Sequence, residues 1–149
     1  MAFPASTLPS LAAVLQNLQN VAASVKAQAQ NANITLAAGP VNTLFIFQIL
    51  DQVANLITYL NQVKNTAGLN AYATTQCVGY AGTLTTDITA VITAAQAIIN
   101  WVVANFPASG GFIQAFSLNA DGSRTPASFT SVQTAGLQSA ITSFIATIG

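Results

Sequence analysis

Six side chains hold every formal charge in this 149-residue chain: Asp51, Asp87, Asp121, Lys26, Lys64 and Arg124, with no glutamate and no histidine. General acid–base catalysis needs a group that titrates near the working pH, usually a histidine or a carboxylate perturbed by its neighbours. The three aspartates stand 36 and 34 residues apart, at a mid-helix position, a helix start and a turn, where each has an ordinary structural role. A serine nucleophile would find no histidine partner, and no nucleophile-elbow sequence occurs. Lys26 and Lys64 fall on the polar sides of helical patterns, where solvation accounts for them. The single Cys77 can form no intramolecular disulfide, and without histidine or a second cysteine it can build no zinc or iron–sulfur site. A buried thiol is the expectation for it. Glycine-rich phosphate loops are missing, and three dispersed bases cannot supply the counterion release behind nucleic-acid affinity. These residues predict no enzymatic activity, no cofactor, no metal and no direct nucleic-acid contact.

Association between proteins is the class of function that survives. The chain is 52% hydrophobic and 4% charged, against about 25% charged in soluble domains generally. A folded monomer of 15.3 kDa should expose about 7,000 Å², so its charges number roughly one per 1,200 Å². Twelve asparagines, twelve glutamines and seventeen threonines supply the remaining polarity. They bind water but give little colloidal repulsion at net charge zero. One reading is a soluble protein whose amides suffice. The other, expected here, is a subunit that works packed against further copies, where charges would cost desolvation energy.

Four segments carry helical periodicity. The first runs from about Pro9 to Asn31, with Leu11, Val14, Leu15, Leu18, Val21 and Val25 on one face, and NITLAAG (33–39) as the connection that follows. The sequon Asn33-Ile34-Thr35 within it would matter only in a secreted eukaryotic protein. Gly39-Pro40 opens the second helix, which reaches about Ala67 and ends at Gly68. Residues 69–80 read as a short helical turn and a loop. A third helix from Thr83–Asp87 to Phe106 buries Ile88, Val91, Ile92, Ile98, Ile99, Val102 and Val103, with Trp101 at the edge. A final helix begins at Thr130, where Thr130-Ser131-Val132-Gln133 fits a capping box. Before it, FIQAFSL (112–118) changes to strand character and enters a turn at Asn119-Ala120-Asp121-Gly122, with a return strand, 123–125, cut short by Pro126. The prediction is one domain over residues 1–149, mainly α: an antiparallel bundle of about four helices with one β-hairpin, about 112–125, before the last helix.

No membrane span and no export signal are expected. The start of the chain has no base before Lys26 and carries Gln16 and Asn17 where an apolar core should run. The best spanning candidate, Ile88–Phe106, places Thr89, Thr93, Gln96 and Asn100 on one stripe, which makes it amphipathic. The candidate interaction residues are Phe45, in an apolar run (44–47) that surrounds one helical turn, and Phe112, Phe116 and Leu118, which share a strand face at period two, with Arg124 in the return strand. A two-stranded hairpin is marginal alone and wants a partner.

The run AVITAAQAIINWVVANFP followed by GGFIQAFSLNADGSRTPASFTSVQTAGLQSAITSFIATI resembles small proteins encoded among the structural genes of tailed bacteriophages and prophages. That resemblance implies a virion component, such as a head, decoration or connector protein, made in the bacterial host cytoplasm and assembled with copies of itself and other virion proteins. It carries no catalytic or binding residue over to this chain. The alternative is a surface-active or membrane-interacting protein whose amphipathic helices open at an interface.

Overall fold

The computed structural model describes residues 4–76, 83–105, 108–109, 112–113, 116–118, 124–126 and 128–149. The first helix starts at Pro4, before the expected Pro9, carries Pro9 in its second turn, and runs on until Gly39-Pro40, where a proline again removes an N–H and disfavours helix in the residue before it. It forms α1 (Pro4–Ala38). The expected connection NITLAAG is therefore the last part of α1. Thr35 donates its hydroxyl to the Asn31 carbonyl at 3.1 Å, and Leu36 is fully buried. Branched residues such as Ile34 and Thr35 cost a helix only tenths of a kcal/mol each, whereas burying one leucine contributes about 1.5–3 kcal/mol.

The chain then makes β1 (Val41–Asn42), paired antiparallel with β6 (Ser128–Phe129) so that Val41 faces Phe129. The Asn42 side chain accepts from the Phe45 N–H at 3.0 Å and caps α2 (Thr43–Lys64). Lys64 lies in the last turn of α2, where a cation suits the helix dipole. Gly68, at φ +79°, takes the left-handed conformation that turns the chain into α3 (Leu69–Gln76). From α3, the Asn70 side chain accepts from the Thr85 N–H at 3.1 Å. A residue fifteen positions earlier thus satisfies one free donor of α4 (Leu84–Asn105).

Between α4 and β6 lie two short antiparallel pairs. β2 (Ala108–Ser109) pairs with β3 (Phe112–Ile113), and β4 (Phe116–Leu118) with β5 (Arg124–Pro126). FIQAFSL is thus divided between two ladders. Pro126 stands inside the second, opposite Phe116, at its end, where no N–H need be donated. The capping box forms with both arms: Gln133 N–H donates to Thr130 Oγ1 at 3.2 Å, and Thr130 N–H donates to Gln133 Oε1 at 2.8 Å. One turn later α5 (Ala135–Ile148) begins.

The protein is mainly helical, with five helices described. α4 packs chiefly against α2 and α5, and α1 chiefly against α5. α2 buries Ile46, Ile49, Val53, Leu56, Leu60 and Val63, leaving Gln48, Asp51, Asn55, Thr58 and Gln62 outside. Polar bonds tie the other pairs. Asn17 Nδ2 donates to Tyr59 Oη at 2.8 Å between α1 and α2, and Asn33 Nδ2 donates to Thr142 Oγ1 at 3.0 Å between α1 and α5. The expected core face of α4 needs correction. Ile88, Ile98 and Val102 are buried, but Val91, Ile92 and Ile99 are half-buried and Val103 is 60% exposed. Four aliphatics in six residues span more of the helix circumference than one core face can cover.

Trp101 meets α5 at Gly136, where an added Cβ would overlap the indole ring. Alanine gains a helix about 1 kcal/mol over glycine, while overpacking costs about 1–3 kcal/mol. Gly136→Ala is expected to be net destabilising, and Trp101→Leu in the same chain should restore the loss. Denaturant midpoints of the two single variants and the double variant check this; a stabilised Gly136→Ala would place the indole elsewhere.

Candidate functional site

Four of the charged side chains are on the described helices. Lys26 is on α1, Asp51 on the exposed face of α2, Lys64 at the end of α2 and Asp87 in the first turn of α4. Asp121 and Cys77 lie outside the described residues. Among the described residues, no group of three or more histidine, cysteine, aspartate or glutamate side chains could hold a metal.

Of the candidate interaction residues, Phe45 is half-buried and packs at the margin of the core, next to the exposed Leu44. Leu118 and Arg124 are cross-strand partners, and Phe116 stands opposite Pro126. Phe112 belongs to the other ladder, opposite Ser109, so it does not share a strand pair with Phe116 and Leu118.

Sequence reasoning missed one concavity among the described residues. A groove of about 730 Å³ runs between Leu15–Ala22 of α1 and Leu84–Val91 of α4. Leu56 and Leu60 of α2 and Ala73 of α3 also line it, and Thr147 and Ile148 of α5 stand at one end. Its origin is a difference in helix length. α5 starts beside Trp101, near the end of α4, meets Asn33 of α1 through Thr142, and stops after 14 residues. α1 continues past that point, so part of its inner face is left without α5 over it. Of the expected core stripe of α1, Leu11 is buried, while Val14, Leu15, Leu18, Val21 and Val25 are half-buried, and Leu15, Leu18 and Val21 line this groove. The unequal lengths of the periodic segments were the available signal. A second cavity, about 50 Å³, lies beside Phe144 among Val25, Ile49, Val53, Ile98 and Ile141.

The outer helix faces share one chemical habit. Thr35, Thr58, Thr66, Thr74, Thr75, Thr89, Thr93, Thr142 and Thr147 each donate the hydroxyl to the carbonyl four residues back, at 2.8–3.1 Å. Gln16 donates to Asn20 and Gln96 to Asn100, each pair within one helix at 3.1 Å. A threonine bonded in this way has its one donor used and can be covered without stranding it. Thr89, Thr93, Gln96 and Asn100 do lie exposed along α4, as the amphipathic reading requires. By length and composition alone, Leu84–Ala104 is also long and apolar enough to cross a membrane, and 22% of it is buried inside the protein.

Compared with known protein families, curated proteins and solved structures, the chain matches none.

Proposed function

We propose that this protein is a non-enzymatic structural subunit of a multi-copy assembly, of the head, decoration or connector kind found in bacteriophage virions. Its four long helices act as one antiparallel bundle, and the strands between α4 and α5 form an inserted assembly hairpin. The observation that carries the reading is the self-bonded outer surface: threonine hydroxyls already satisfied within their own helices, on a chain with six charges. Such faces lose little when another subunit covers them. The chain also exposes 8686 Å², above the roughly 7,000 Å² expected of a compact monomer of its mass. Ile34, Leu44, Val103 and Val132 are among the apolar side chains left outside.

The second reading, a membrane-interacting helical protein, draws on Leu84–Ala104 of α4. Light scattering across salt tests the first, since screening acts on charges and the Debye length falls to about 3 Å at 1 M. Discrete oligomers that persist through that range are expected. Dissolution by moderate salt, or a monomer at every concentration, would defeat the proposal, and partition into lipid vesicles would favour the second reading. Replacing residues 111–125 with a short flexible linker should keep helix content and cooperative unfolding while abolishing assembly; normal assembly would remove that segment from the interface.

A further inference from the structure

We propose that the groove beyond the end of α5 binds a single-chain amphiphile, with its aliphatic tail between α1 and α4 and its cationic head at Asp87. Size argues for a small ligand. Its volume of about 730 Å³ falls within the 300–1,000 Å³ usual for small-molecule sites. A stable protein partner needs about 800 Å² on each side, far more than a slot this short offers. Leu15 to Ala22 and Leu84 to Val91 each cover about 10 Å of helix, the span of roughly ten extended chain atoms.

Charge selects the head. Among the described residues, Asp87 is the only ionisable side chain lining the groove, and it is exposed to an incoming cation. It has an interaction within the chain as well, but a carboxylate offers about four acceptor positions. The helix start beside it is poorly placed to hold an anion, because the Thr85 N–H already donates to Asn70 and the Asp87 N–H to the Thr83 carbonyl. The walls are otherwise mainly aliphatic, with Gln19 and Thr147 as the uncharged polar side chains in the lining and Ala22 and Ala90 leaving room between the helices.

Isothermal titration of the intact protein with alkylamines of six to twelve carbons, kept below micelle formation, tests this, with decanoate and decanol as comparators. Affinity should rise about fourfold per methylene and level off near ten carbons. Decylamine should outbind decanoate by about fivefold, and Asp87→Asn should erase that preference while leaving decanol unchanged. Ala90→Phe should weaken all three ligands about tenfold with its circular dichroism unaltered; should that variant misfold, Ala22→Phe fills the groove from the opposite wall. A flat chain-length series, equal binding of decanoate, or a folded groove-filling variant that binds normally would each overturn the proposal.

Discussion

Phe144→Ala is expected to lower stability by about 3–5 kcal/mol, the range for removing a buried aromatic ring. Phe144 is 2% exposed and sits where α5 meets the other helices, against Val25 of α1, Ile49 and Val53 of α2, and Ile98 of α4. A void of about 50 Å³ already adjoins it, so the truncated site merges with an existing cavity and the neighbours cannot easily close on it. Against a typical total of about 5–15 kcal/mol, the loss takes roughly a fifth or more of the stability. Guanidinium melts followed by circular dichroism give the number. A loss below about 1 kcal/mol would mean that α5 packs through another face.

Leu56→Ala should cost about 2–4 kcal/mol, and Ile99→Ala about half as much or less. Leu56 is 6% exposed and lines both cavities; part of the space it vacates opens into the groove, which keeps the loss below the upper range for leucine. Ile99 is half-buried and lies beside the core, whereas its neighbour Ile98 is 2% exposed and within it. The order of the two losses decides the rotation of α4, since successive residues stand about 100° apart around a helix. If Ile99→Ala costs more than Leu56→Ala, α4 is turned by one residue.

The helices were legible in the sequence where one local device dominated. α2 has an unbroken apolar stripe and a polar stripe opposite, and all five residues of that polar stripe are exposed. Thr130 and Gln133 announced a capping box through spacing alone, and both its bonds form. The end of α1 was misread because Asn31, Asn33 and Thr35 are weak helix formers; what holds them is tertiary, the burial of Leu36 and the Asn33–Thr142 bond. The phase error in α4 has a related cause. Ile98, Ile99, Val102 and Val103 are equally apolar, so composition cannot say which pair faces inward, and the positions of α2 and α5 decide it. The groove was illegible for a third reason: it is made by what α5 does not cover, and periodicity describes covered faces.

The scarcity of basic residues also governs how the chain meets a protease. Trypsin cuts after lysine or arginine, and here it has three places to act: Lys26 within α1, Lys64 in the last turn of α2 and Arg124 in β5. A helical bond must unwind locally before it can enter an active site, so the cleavage rates after Lys26 and Lys64 follow the opening of those two helices. Digestion therefore samples α1, α2 and the strands between α4 and α5 at one bond each. The same sparsity spares most of the chain: α3, α4 and α5 contain no trypsin site at all, and even a nicked molecule keeps each of these helices whole.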